Sequence, residues 1–189
     1  MHHSIYPKLP PRDIYFEYLV EQAFLRVGWP KEQIVLTTPN SPQHDMRVGD
    51  IRLSLKTETG VKTKRHSITI TKLCTTETGT WDSPSLIRHS LEHLARYDAI
   101  LMLRAIRKTG GLHYQLLDIP MKTLKLIESA TVLPVGKRKG RQSLSGRITL
   151  PGTEAEFRLQ FDGADGKCQV HNLPVDICQM LLEWDLERV

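Results

Sequence analysis

From Asp45 to Glu58 apolar and polar positions alternate on both sides of Gly49-Asp50, with Met46 and Val48 before the pair and Ile51, Leu53 and Leu55 after it. Alternation at period two around a Gly-first dipeptide predicts a tight β-hairpin with a two-residue turn. Such a turn fixes the register: Val48 faces Ile51, Arg47 faces Arg52, Met46 faces Leu53 and Asp45 faces Ser54. Opposed residues share a face of the sheet, as do residues two apart on one strand. Asp45, Ser54, Lys56 and Glu58 therefore emerge on one side together with Arg47 and Arg52, and the five apolar residues go to a core.

The flanking segments follow other periods. Asp13 is placed to cap a helix of roughly 14 residues, which Gly28 stops and Pro30 breaks. Ile14, Tyr15, Tyr18, Leu19, Phe24 and Leu25 cover much of its circumference, which predicts packing on most sides; Glu17 and Glu21 lie one turn apart, and Glu21 is read as solvated. Ile34–Leu36 reads as a short strand, 37–43 as a loop with two prolines, and 67–73 as a strand whose threonines make one face wet. Ser83 is placed to cap a helix with Pro84 at its first position and an apolar stripe of Leu86, Ile87, Leu91 and Leu94. The continuous run Ala99 to Leu103 marks a strand buried on both faces. Thr109-Gly110-Gly111 turns the chain into a strand over 113–119, and Pro120 starts a helix to about Glu128. Strands are predicted over 147–150, 156–162 and 167–171, and a final amphipathic helix from Pro174 carrying Val175, Ile177, Met180, Leu181 and Trp184.

This order describes an α/β domain with a mixed central β-sheet flanked by helices over residues 1–130, followed by a β-rich C-terminal extension over 131–189 packed on that core. The 189 residues are ample for a buried core, and 40% hydrophobic with 25% charged is an ordinary globular mix. A net charge of +5 and a pI near 9.2 favour a polyanionic partner. No apolar run approaches the length of about 18 residues that spans a membrane, and the start of the chain lacks the apolar region of a secretory signal. Cys74, Cys168 and Cys178 are odd in number and widely spaced, which suits neither a disulfide framework nor a zinc site and points to a reducing cytoplasm. No Gly-rich phosphate loop, Gly-x-Ser-x-Gly elbow or His-Glu-x-x-His helix is present. His89 and His93 stand one turn apart without a third ligand beside them and read as a surface pair.

Spacing alone leaves two readings of the hairpin open: a half-solvated ribbon whose polar face holds a carboxylate and a lysine, or a site in which they share a ligand. The pattern resembles a family. Asp45, a short strand, a turn and then Ser54-Leu55-Lys56 are similar to the active-site hairpin of the PD-(D/E)XK nuclease superfamily, and within it the type II restriction endonucleases. His44 stands where the proline before the first acid is expected, with Pro42 three residues before Asp45. Ser54 stands at the second acid, a serine variant of the motif in which a helix elsewhere supplies the missing carboxylate. The run from Phe16-Glu17 to Gly28-Trp29 resembles the opening helix of these nucleases.

The resemblance implies a restriction-endonuclease-like core and a Mg²⁺-dependent, sequence-specific double-stranded DNA endonuclease of the cytoplasm, acting as a homodimer because a palindromic site mirrors two-fold symmetry. It assigns Asp45 as principal Mg²⁺ ligand and Lys56 as the group that holds the attacking water and scissile phosphate. Glu17 comes first as second ligand and Glu92, on the helix after Ser83, next as recruited acid. Glu58 shares the hairpin face, but at about 3.3 Å per residue it lies roughly 13 Å from Ser54, too far to replace it. Lys62, Lys64 and Arg65 after the hairpin, and Lys137, Arg138, Lys139 and Arg141 before the extension, are candidate DNA-backbone contacts. The extension itself is assigned to DNA recognition or dimerisation. The alternative is a degenerate, DNA-binding nuclease fold, or another nuclease of repair or transposition.

Overall fold

The computed structural model describes residues 10, 14–38, 44–76, 80–136 and 141–187. The expected cap Asp13, Pro42 and the basic residues Lys137, Arg138 and Lys139 lie outside these. The chain is α/β and mostly strand, and it divides into two compact units that interleave along the sequence.

The first unit takes in Met1–Lys64, Arg96–Pro120 and Cys178–Val189. Its elements are α1 (Ile14–Arg26), β1 (Ile34–Leu36), β2 (Met46–Val48), β3 (Ile51–Glu58), and, after the strand Ser67–Thr75 (β4) and the helix Ser83–Leu94 (α2) of the other unit, β5 (Ala99–Lys108), β6 (Gly111–Asp118) and β11 (Gln179–Glu187). The six strands form one sheet in the order β1-β2-β3-β5-β6-β11. Only β3 and β5 run parallel and every other pair is antiparallel, so the sheet is mixed. One face carries Met46, Val48, Leu53, Leu55, Leu103, Ala105, Leu112 and Tyr114, over which α1 lays Phe16 and Val20. The period-two alternation of the strands puts their apolar residues under a helix that meets them with one stripe.

The second unit takes in Arg65–Ala95 and Met121–Ile177. It holds β4 (Ser67–Thr75), α2 (Ser83–Leu94), α3 (Met121–Leu124), β7 (Leu133–Pro134), β8 (Leu144–Thr149), β9 (Glu156–Asp162) and β10 (Lys167–Pro174). The strands make an antiparallel sheet ordered β4-β10-β9-β8-β7. A 3-10 stretch, Lys125–Ser129, completes the turn of helix expected after Pro120.

Four expectations are corrected. The final amphipathic helix is instead β11, paired antiparallel with β6 from Gln179↔Asp118 to Glu187↔Gly111, with a bulge between Met180 and Leu182. The backbone groups on its inner side pair with β6, and Trp184 stacks on Tyr114 with ring centroids 4.9 Å apart. The cap of α2 is Asp82, whose carboxylate accepts from the Ser85 N–H at 3.0 Å, one residue before the expected Ser83. On α1 only one stripe is covered, and Ile14, Tyr15, Tyr18 and Leu19 are exposed. Glu21, expected in water, is buried and ion-paired with Lys31.

Candidate active site

The hairpin forms in the predicted register, with Met46↔Leu53, Arg47↔Arg52 and Val48↔Ile51. Gly49 takes φ +56°, which the first position of such a turn demands and an L side chain resists, while Asp50 keeps a negative φ. A Cβ on Gly49 would also press on the Trp29 ring at 3.3 Å. One member of the apolar set departs from expectation: Ile51, at the hairpin tip, is 51% exposed.

Asp45 lies just before β2, and its N–H donates at 2.9 Å to the carbonyl of Leu53, the residue opposite Met46. Three donors converge on its Oδ2. Ser54 Oγ donates over 3.1 Å, the Leu55 backbone N–H over 2.6 Å, and the Lys56 ammonium makes an ion pair at 3.5 Å. Ser54 is completely buried, whereas the side chains of Asp45 and Lys56 keep 30% and 20% of their surface. The carboxylate is thus fixed from behind by buried donors and open in front, beside an ammonium that is also within reach of solvent.

The other residues of this face are engaged in the ladder. Arg52 meets Asp98 with Nε at 3.0 Å, Nη2 at 2.8 Å and its backbone N–H at 2.8 Å. Those hydrogen bonds from Arg52 hold the Asp98 carboxyl down at about 2 and push the Arg52 guanidinium above its ordinary value. Arg47 Nη1 donates to the Gly49 carbonyl at 2.6 Å. Glu58 accepts from Arg104 Nε at 2.7 Å. Arg104, immediately after the apolar run of β5, is fully buried, and its Nη1 donates to Gln115 Oε1 at 2.6 Å. Gln115 in turn donates to Glu183 Oε1 at 3.3 Å, so Glu58, Arg104, Gln115 and Glu183 form one polar row across β3, β5, β6 and β11. Sequence reasoning missed Arg104. Its signal was an arginine between the apolar run Ala99–Leu103 and Ala105-Ile106, where a buried guanidinium needs polar or anionic partners.

The remaining candidates are dispersed. Glu17 is half-buried on α1, the helix that covers the face of the sheet opposite to Ser54 and Lys56. Glu92 is exposed on α2 in the second unit, where it lines a cleft with Thr76, Thr80, Ser85, Arg88 and His89. Lys62, Lys64 and Arg65 are exposed after β3, and Arg141 lies over the Trp81 ring at 5.3 Å from its centroid. His89 contacts the Thr75 carbonyl through Nε2 at 2.8 Å. Among the described residues no group of three or more His, Cys, Asp and Glu stands together as a ready-made metal cage.

Residues 1–186 match the SmaI family, described as type II site-specific deoxyribonuclease. The chain belongs to this family. Within the SmaI family, the type II restriction enzyme SmaI of Serratia marcescens is 28% identical over 148 residues, covering 77% of this chain and 60% of that enzyme. The chain therefore spans less than two thirds of that SmaI relative's length. No solved structure matches it. Among the described residues no helix is long and apolar enough to cross a membrane.

Proposed function

We propose that this chain is a Mg²⁺-dependent, sequence-specific endonuclease of double-stranded DNA, with a restriction-endonuclease-like core and the serine variant of the PD-(D/E)XK hairpin as its active centre. The observation that carries this reading is the convergence of Ser54, Leu55 and Lys56 on Asp45 Oδ2, in a chain of the SmaI family.

The donor set suits a hard cation. Mg²⁺ takes oxygen ligands, keeps several waters and is held by one or two protein carboxylates plus substrate phosphate, so a single fixed aspartate with an open front is an adequate anchor. When bound, the ion supplies a more acidic water and positive charge against the developing phosphoryl charge. Asp45 would hold the ion, with Ser54 and Leu55 keeping the carboxylate from rotating away. Lys56 places its ammonium against the scissile phosphate and the attacking water, where fixed positive charge favours the transition state. Ser54 adds no charge, so a second carboxylate is sought outside the hairpin; the resemblance names two helical candidates, Glu17 and Glu92, which mutation tests.

The basic residues Lys62, Lys64, Arg65, Lys137, Arg138, Lys139 and Arg141 are assigned to DNA phosphates, which position a protein on the duplex without reading bases. The extension over residues 131–189 is assigned to DNA recognition or dimerisation. Action as a homodimer follows from the two cuts a palindrome needs, and the exposed apolar band of Ile14, Tyr15, Tyr18 and Leu19 on α1 supports an interface with a second copy.

Supercoiled plasmid incubated with the protein in Mg²⁺ or EDTA tests the reading: discrete fragments only in Mg²⁺ are expected. Ser54 in place of an acid favours one other reading, a DNA-binding module that has lost catalysis. Gel retardation without cutting would establish it.

A further inference from the structure

We infer that Arg104 is a positioning residue for the proposed reaction: it holds Glu58 away from Lys56 and so keeps the lysine committed to Asp45. Lys56 and Glu58 are two residues apart on one strand and emerge on the same face, roughly 7 Å apart at their bases. Both side chains are long and flexible, so an unrestrained Glu58 could reach the Lys56 ammonium and neutralise it. Instead Lys56 stands at Asp45, and Glu58 turns along the row to the buried guanidinium 2.7 Å away.

The geometry of Arg104 supports a fixed rather than casual pair. It sits directly opposite Glu58 in the parallel β3–β5 ladder, just as Met102 sits opposite Lys56. Its three nitrogens are spread over three partners: Nε to Glu58, Nη1 to Gln115 and Nη2 to the Lys64 carbonyl. A planar fork with every arm taken is locked in one orientation. The contact with Lys64 also anchors the loop that bears Lys62 and Lys64. Burial strengthens the Arg104–Glu58 attraction, while Lys56 and Asp45 face more solvent, so the row sorts two carboxylates and two cations into two separate pairs.

The inference depends on the nuclease reading for its kinetic readout but not for its chemical one. Four proteins are compared, wild type, Arg104→Lys, Arg104→Met and the double variant Arg104→Met/Glu58→Gln, with circular dichroism to check folding. The chemical readout is reductive methylation of Lys56 by formaldehyde and borohydride, followed by mass spectrometry. The kinetic readout is single-turnover plasmid cleavage in Mg²⁺ beside DNA affinity in EDTA.

In Arg104→Met, Lys56 methylation is expected to slow about threefold or more and cleavage about tenfold or more at unchanged DNA affinity. The double variant and Arg104→Lys are expected to return both readouts to within about threefold of wild type, because one removes the charge of Glu58 and the other keeps a cation at position 104. A folded Arg104→Met protein with unaltered Lys56 reactivity would overturn the inference, as would a folded double variant that stays as impaired as the single one. If Arg104→Met does not fold, the double variant decides: normal Lys56 reactivity upholds the inference and reduced reactivity overturns it. If the wild type does not cut DNA, the nuclease reading fails and the methylation comparison still gives its own answer.

Discussion

Ser54 donates its hydroxyl to Asp45 Oδ2 over 3.1 Å across the β2–β3 hairpin, and it does so while fully buried. In the proposed PD-(D/E)XK reading, the position that the motif fills with an acid is here a donor to the remaining acid. Asp45→Ala is expected to abolish cleavage and leave gel-shift affinity close to wild type, because the anchor for the metal goes and the groups that bind phosphate stay. Ser54→Ala should slow cleavage only about tenfold, the worth of one hydrogen bond to a carboxylate when the Leu55 N–H still holds it. Full activity in Asp45→Ala sinks the site assignment.

The missing carboxylate is testable by isosteric neutralisation. Glu17→Gln or Glu92→Gln should lose most of the cleavage rate, whereas Glu58→Gln should stay within about threefold because Arg104, not metal, holds that side chain. Equal tolerance of all three changes, measured by single-turnover rates, refutes a recruited acid.

Neutralising Lys137, Arg138, Lys139 and Arg141 together should weaken binding to cognate and unrelated DNA alike. The slope of log affinity against log salt should become shallower by about 0.9 for each DNA phosphate left without its cationic partner. If one arginine reads guanine instead, the loss falls on cognate DNA at roughly 1–3 kcal/mol. Unchanged slope and affinity would leave the run a solvated loop.

Gly111 carries a packing prediction. A Cβ there would collide with the Leu186 carbonyl of β11. Gly111→Ala should therefore force β11 off the edge of β6 and lower stability by about 1–3 kcal/mol in urea denaturation. Gly110, one residue earlier with φ +81° and open space around it, should cost less when changed to Ala. A larger loss at 110 than at 111 would contradict the packing of the final strand.

The Arg52–Asp98 pair makes stability pH-dependent in one direction. Asp98 has a carboxyl held near 2 against an ordinary 3.8, so the folded state binds its proton more weakly than the unfolded state does. The stabilisation is present above about pH 4 and fades as pH falls toward 2. Asp98→Asn should lower Tm near neutrality, and the difference from wild type should shrink through that window. A carbon-detected carboxyl titration by NMR that places Asp98 at an ordinary value would dispose of the prediction.

How much of this was written in the sequence depends on the range of the interaction. Gly49-Asp50 and the alternation around it determined the hairpin, its register and the face shared by Asp45, Ser54 and Lys56, because a two-residue turn leaves no freedom in pairing. The apolar run of β5 likewise determined a strand covered on both sides. At the C-terminus the signals competed. Met180, Leu181 and Trp184 fit a helical stripe, yet from Leu182 to Glu187 the chain alternates strictly between apolar and acidic residues. Only the available edge of β6 decided for a strand, since pairing there gives one side of the backbone a full ladder and lets Trp184 stack on Tyr114. The same holds for charge. Sequence fixes that Arg104, Glu58, Gln115 and Glu183 exist, separated by as many as 125 positions, and nothing in their spacing joins them. Strand order brought them into one row, and burial then turned four scattered polar residues into a network whose members must satisfy one another.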